Sequence, residues 1–269
     1  GASTSSARTE VGKECGKAPF ALSLSKGRPS STLASAPADP HTEAMTDLPA
    51  AFETIAKSRR SVRAFKPDPI PQELLEHIFR IAGTAPSNCN AQPWITHVVS
   101  GDRLRQIEEK LIAAVRAGDA DPDAGHREDP YVGIYKERRI GAAVALFEAT
   151  GVGRHDKEAR EESFLRNYRF FDAPHAAWFF MPPAFGLHGA ADIGMYAQTL
   201  MLALAANGMG SCAQGALGHY SNVVKRELGV DGGLACTFGL SFGYPDEDHP
   251  STKAITDRAP LGDLVHFHE

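Results

Sequence analysis

Arg59-Arg60-Ser61-Val62-Arg63-Ala64-Phe65 and, further along, Pro86-Ser87-Asn88-Cys89-Asn90-Ala91-Gln92-Pro93-Trp94 are the stretches on which the reading of this chain turns. The first gathers three guanidinium groups and a hydroxyl just after a predicted helix, and the second packs amides and a hydroxyl between prolines. Arginine offers a fork of donors that matches phosphate oxygens. Asparagine and glutamine carry donor and acceptor in one planar group and can pair with an amide-like ring edge. Together the two strings describe a site for a phosphorylated, hydrogen-bonding heterocycle. Taken alone, Arg-Arg-Ser would be a solvated helix end favoured by the dipole, and Pro93-Trp94 would be the start of a strand that fills the core.

The rest of the chain is of ordinary composition. With 269 residues, 42% of them hydrophobic, and a net charge of −5, it can build one large or two small domains around a substantial core. Lysine and arginine are spread through the sequence and form no basic stripe, which argues against a nucleic-acid partner. The most apolar segment, 173–185, is short and broken by prolines, so no membrane span is expected. Cys15, Cys89, Cys212 and Cys236 show no CxxC or Cys/His metal spacing. A reduced, cytoplasmic setting is the economical expectation. Cys89 and Cys212 have no neighbouring base in sequence and read as small filler residues, while His175, His188 and His219 lack metal-ligand spacing.

Residues 1–44 are rich in Ser, Ala, Pro and Gly with almost no periodicity, and are expected to be a disordered extension preceding a domain at 45–269. A transit peptide is disfavoured by Glu10, Glu14, Asp39 and Glu43. Met45 offers an alternative start. Beyond it, apolar spacing predicts helices over 48–58, 71–82, 102–117, 131–149, 190–207 and 219–228, and strands over 94–99, 176–181 and 234–242. The 190–207 helix, with Ile193, Tyr196, Ala197, Leu200 and Leu204 among many small residues, reads as buried on nearly all sides, and Gly208 ends it. Residues 118–130 read as a loop. Helices outnumber strands and the Gly-rich turn of a dinucleotide fold is missing, so the class is α+β or mixed α/β.

The ordered combination of Arg59-Arg60-Ser61-x-Arg63-x-Phe65, Ser87-x-x-Asn90-x-Gln92-Pro93-Trp94, Asp192-x-Gly194 with Gln198 leading into Gly208-Met209-Gly210-Ser211, and Gly243-Tyr244-Pro245 followed by Arg258 resembles the FMN-dependent nitroreductase family. The resemblance runs from about residue 50 to residue 260. It implies a small mixed sheet flanked by helices, an intertwined homodimer, and FMN at each end of the dimer interface with residues from both chains. Carried over, it assigns Arg59, Arg60, Ser61 and Arg258 to the FMN phosphate and Arg63 to the ring and ribityl chain. Pro86, Ser87, Asn88, Asn90 and Gln92 would line the cofactor. Cys212, Ala213, Gln214 and Gly215 would bring backbone N–H groups to flavin N5. Two positions depart from a common family pattern: Gln214 stands where Glu is frequent, and Thr256 where some members have Lys.

The implied activity is an NADPH- or NADH-driven, ping-pong reduction of nitroaromatic, nitrofuran or quinone acceptors, with no catalytic side chain because the flavin carries the chemistry. Other enzymes of the fold (ene reductases, dehalogenases, flavin-fragmenting enzymes) or a non-catalytic FMN carrier would differ in the lid. Residues 118–139 and 151–172 are expected to form it, with Tyr131, Tyr135 and the aromatics of 164–171 as core or lid.

Overall fold

The computed structural model describes residues 47–123 and 130–269. The expected disordered extension at 1–44 and most of the far half of the 118–130 loop lie outside these residues. Among the described residues, eleven α-helices and strands follow in order: α1 Leu48–Ser58, α2 Gln72–Ala82, β1 Ile95–Ser100, α3 Gly101–Ala117, α4 Ile134–Thr150, α5 Lys157–Leu165, β2 His175–Met181, α6 Gly186–Ala206, β3 Gly210–Gln214, α7 Ser221–Leu228 and β4 Ala235–Gly243.

β2 is the axis of the molecule. Its sequence, His-Ala-Ala-Trp-Phe-Phe-Met, is apolar at almost every position and buried throughout, as a strand covered on both faces must be. The four strands form one sheet in the order β1-β2-β4-β3, antiparallel throughout. A parallel pairing occurs at the isolated bridge between Ser61 and Ser211. Alternation along β2 sorts its side chains into two cores. Ala176, Trp178 and Phe180 face Leu104, Ile107 and Leu111 of α3 and Val223 and Val224 of α7. Ala177, Phe179 and Met181 face Leu75 and Ile78 of α2 and Ile193, Tyr196, Leu200 and Leu204 of α6.

α6 is the longest of these helices at 21 residues, about 31 Å at 1.5 Å per residue. It buries Gly189, Asp192, Ile193, Tyr196, Ala197, Leu200, Ala203 and Leu204, a stripe at three- and four-residue spacing. The opposite face, with Leu187, Gly194, Met195 and Gln198, is open in the single chain. Burial on nearly all sides, expected from the sequence, is therefore met on one side only within one chain. Gly208, at φ +73°, turns the chain directly into β3.

β3 lies outside the strands that the sequence predicts. Gly-Ser-Cys-Ala-Gln has no strand-forming alternation of its own, and it becomes a strand by pairing with β4 from Gly210 opposite Gly243 to Gln214 opposite Gly239. α5 was likewise expected only as part of a lid. Asp156 caps it by accepting the Ala159 N–H at 2.9 Å.

Candidate functional site

Residues 59–65 leave α1 as an extended run along the outer edge of β3. The Val62 N–H donates to Ser211 O at 3.0 Å, Lys66 N–H to Tyr244 O at 2.8 Å, and Asp246 N–H to Ala64 O at 3.1 Å. The approach is close because residue 210 is glycine: a Cβ there would sit 2.7 Å from Val62 Cγ2. An extended backbone alternates its side chains. Val62 and Ala64 are buried, whereas Arg59, Ser61 and Arg63 are half-buried. These last three all act on the thiol of Cys212. Burial pushes the Cys212 thiol up, and it is lowered by Arg63, by a hydrogen bond with Ser61 and by Arg59.

Arg60 is tied to the segment that follows the sheet residues 235–243. Its guanidinium donates to Thr252 O and to Glu247 Oε2, both at 2.7 Å, so protein groups engage both of its terminal nitrogens. Arg258 is also set apart. It donates to Thr256 O at 3.0 Å and to Asp257 O at 3.1 Å, and lines a groove against α4 with Ile134, Arg138 and Ala142. Thr256, where lysine was a family alternative, takes part by accepting at Oγ1.

The backbone of Arg63 is braced from two sides. Its carbonyl accepts from Arg166 Nη2 at 3.0 Å and from Ser251 Oγ at 3.1 Å. Arg166 also donates to His249 Nε2 at 3.1 Å and pairs with Asp172 at 2.9 Å. Burial, and then the facing Arg166 guanidinium, hold the His249 imidazole below its usual range, against the opposing pull of Asp246 and Asp172. Beside Arg166, Asn167 O accepts from Gln214 Nε2 at 2.8 Å, and Gln214 Oε1 in turn accepts from Ser241. Arg63, Arg166, Asn167 and Ser251 thus line one small cavity with Thr150 and Ser163. Arg166 and Asn167 escaped the sequence reading, which placed them in a featureless lid. The available signal was a polar Arg-Asn-Tyr-Arg string just ahead of the mostly apolar β2.

At the end of β3, Cys212 and Gln214 are buried, and Ala213 and Gly215 are exposed. Gly215 opens a short 3-10 turn, Gly215–Gly218, and the first N–H groups of such a turn have no partner within it. A Cβ on Gly215 would meet nothing within 4 Å. Space and donors therefore coincide there.

The amide-rich loop lies elsewhere. Pro86, Asn88, Asn90 and Gln92 are exposed and Ser87 is half-buried. Ser87 Oγ accepts the Gln92 N–H at 2.9 Å, and the Asn88 N–H donates to Asp192 Oδ1 at 3.0 Å. Cys89, Asn90 and Gln92 all have left-handed backbones, with φ of 51°, 55° and 48°. This loop sits at Asp192 on α6, whereas Arg59 and Arg60 line a cavity with Met201 and Ala205 near its other end. At 1.5 Å per residue the two groups stand about 14–20 Å apart along α6. One chain does not bring them together.

An antiparallel four-stranded sheet with one long apolar helix on its face, and an arginine-bearing run along the edge strand, defines a nitroreductase-type α+β fold. The chain belongs to the Nitroreductase family, whose model matches residues 56–244. It is 38% identical over 221 residues to nitroreductase NfnB of Mycolicibacterium smegmatis, covering 82% of this chain and 94% of that protein. It is 31% identical over 216 residues to a 4-nitrobenzoate reductase of Pseudomonas putida, covering 80% and 95%. Among solved structures it superposes at a TM-score of 0.80 on the FMN-dependent nitroreductase NfnB from Mycobacterium smegmatis in complex with NADPH. That match has 38% identity and covers 83% of this chain and all of the other.

Proposed function

We propose that the protein is an FMN-dependent NAD(P)H nitroreductase acting on nitroaromatic, nitrofuran or quinone acceptors. The observation that carries the reading is the convergence of Arg59, Ser61 and Arg63 on Cys212, a few residues from the turn that begins at the exposed Gly215. It stands beside the relatedness to nitroreductases along nearly their whole length.

The residues present suit a phosphorylated flavin. Arg59 and Ser61 would hold its phosphate, since a dianion needs at least one close cation and further donors when partly desolvated. Arg63 would lie nearer the ring, with its backbone fixed by Arg166 and Ser251. The Gly215 turn would offer its N–H groups to an acceptor on the ring. Arg60 would anchor the run through Glu247 and Thr252, and Arg258 would add charge from the tail. When bound, FMN supplies the hydride-accepting and hydride-donating centre that links NAD(P)H to the acceptor. The side chains bind and orient, and water supplies protons.

A homodimer belongs to this proposal. The open face of α6 is largely apolar or small, and a helix apolar on nearly all sides belongs in an interior. α1 and α4 bury no residue in the single chain. Leu48, Phe52, Leu187, Ile255, Leu261 and Phe267 are each at least 59% exposed, more apolar surface than a monomer usually shows. A partner covering α6 would bring its own 86–92 loop toward Arg59, Ser61 and Arg63, closing the 14–20 Å gap estimated from helix rise. Among the described residues no helix is long and apolar enough to cross a membrane. We place the enzyme in the cytoplasm, in keeping with free thiols at Cys89, Cys212 and Cys236.

Anaerobic mixing of the FMN-loaded protein with NADH or NADPH tests the activity. The expected result is loss of the visible flavin absorbance, its return on adding 4-nitrobenzoate, and parallel double-reciprocal plots. Flavin that neither nicotinamide bleaches would overturn it.

A further inference from the structure

The loop that carries Ser87, Asn90 and Gln92 is strained and thinly held. Three of its residues are left-handed without being glycine, a conformation that persists only where surroundings impose it. Its internal bonds, Asn90 N–H to Ser87 O and Ala91 N–H to Asn88 O, both at 3.0 Å, give it shape but not position. Among the described residues, the hydrogen bond tying 87–92 to another element is the one from Asn88 N–H to Asp192 Oδ1 at 3.0 Å.

Asp192 is unusual in its own right. It is 2% exposed, and its second carboxylate oxygen, Oδ2, is buried with no hydrogen-bond partner. Burying such an oxygen works against folding. A side chain that merely filled space between α6 and the loop would do better without it. One turn further along the same helix face, Tyr196 stacks on Trp94, with ring centroids 4.8 Å apart and planes at 18°. Tyr196 therefore grips the downstream end of the segment while Asp192 grips its upstream end, at the i and i+4 positions of one helix.

We propose that Asp192 is a positioning residue for the flavin site: its carboxylate fixes the Asn88 amide, and through it the left-handed loop that presents Asn90 and Gln92. The inference rests on the reading that this loop meets FMN. Asp192 touches neither cofactor nor substrate and acts through the loop.

The test uses the full chain with FMN removed, titrated with FMN by flavin fluorescence, and compares Asp192→Ala, Asp192→Asn, Asn90→Ala and Gln92→Ala. Thermal melts and backbone hydrogen exchange are read on the same samples. Asp192→Ala is expected to weaken FMN binding about tenfold and to speed exchange at residues 87–92, with α6 amides beyond Tyr196 unchanged. Asp192→Asn keeps an oxygen acceptor and should restore affinity to within about threefold of the parent. Rescue by Asn together with loss in Asn90→Ala supports the proposal. Loss in Asn90→Ala with full affinity in Asp192→Ala overturns it and leaves the loop's role standing. Full affinity in both Asn90→Ala and Gln92→Ala removes the loop from the flavin site and the proposal with it. Should Asp192→Ala not fold, Asp192→Asn decides: a folded variant that loses affinity tenfold shows that the acceptor oxygen is not what matters.

Discussion

The two strings that stand out in the sequence end up under opposite mechanical regimes. Residues 59–66 lie along a sheet edge with backbone hydrogen bonds to Ser211 and Tyr244, buried Val62 and Ala64 beneath them, and Arg63 braced by Arg166 and Ser251. Residues 87–92 stand largely exposed, left-handed at three positions, and joined to α6 through one carboxylate. Charge is carried by the rigid region and neutral amides by the strained one. That division suits a ligand with an anionic end that must be held and a ring whose edge must be met after a partner chain arrives. It also makes the two regions differ in how they fail.

The largest effect should come from breaking the rigid region at its base. Val62 is 3% exposed and packed on Gly210. Val62→Asp would bury a charge with no partner, at a cost of about 3–5 kcal/mol. Thermal unfolding should show a lower midpoint, and flavin content should fall in parallel. A stable, yellow Val62→Asp variant would mean that the edge run is not anchored where it lies.

Next in size is the contrast in binding energy. Arg63→Ala removes a charge-assisted contact and should weaken FMN binding by about 1.5–3 kcal/mol, whereas Asn90→Ala removes a neutral one, worth about 0.5–1.5 kcal/mol. The Asn90 loss should also depend on protein concentration, because the loop is supplied by the partner in the proposed dimer. Fluorescence titration at two protein concentrations, with sedimentation on the same samples, separates the cases. Equal losses that ignore concentration would erase the difference between the regions.

The periodicities that made this fold legible are those with one dominant cause. α1 begins and ends where apolar spacing puts it, and β2 and α6 carry enough apolar residues for no other reading. β3 was hidden because its pairing with β4, not its composition, makes it a strand. α5 was hidden because, among Lys-Glu-Ala-Arg-Glu-Glu-Ser-Phe-Leu, only Leu165 is buried, leaving no apolar stripe to detect. At the site, residue types announced phosphate and amide recognition. They could not announce that Glu247, 187 residues further on, engages the Arg60 guanidinium. Nor could they place Arg166 against Arg63, since that contact spans 103 residues of sequence.

Acid should loosen the rigid region and spare the other. His249 lies 2.8 Å from Ser251 Oγ, which supports the Arg63 carbonyl, and faces Arg166 on its other nitrogen. Its imidazole is held below the ordinary value of 6.5. The unfolded chain therefore takes up the proton first as pH falls. The stability contributed by neutral His249 is complete above about 6.5 and is lost as pH drops toward the depressed folded value. Hydrogen exchange at residues 61–66 should quicken across that window while residues 87–92 change little, and His249→Gln should flatten the response. His175 is also held low by burial, so it adds an acid-side loss of overall stability. The His249→Gln comparison subtracts that shared background.

The smallest effect belongs to Arg258, and it sharpens the comparison because Arg258 is cationic yet lies in neither region. In the single chain its guanidinium is exposed and donates to Thr256 and Asp257 in its own turn. Exposed charges are well hydrated, and contacts made by them are commonly worth about 0–1 kcal/mol. Arg258→Ala should therefore weaken FMN binding by no more than about fivefold, the equivalent of that range. The margin should shrink as salt rises, since an exposed cation acts on phosphate through screened solvent. Arg63→Ala should keep most of its loss in the same salt series, because Arg63 is half-buried and its backbone is braced. A loss at Arg258 equal to that at Arg63, and equally resistant to salt, would mean that the tail leaves α4 in the FMN-loaded dimer and closes over the phosphate. The phosphate grip would then belong to two elements instead of one edge strand.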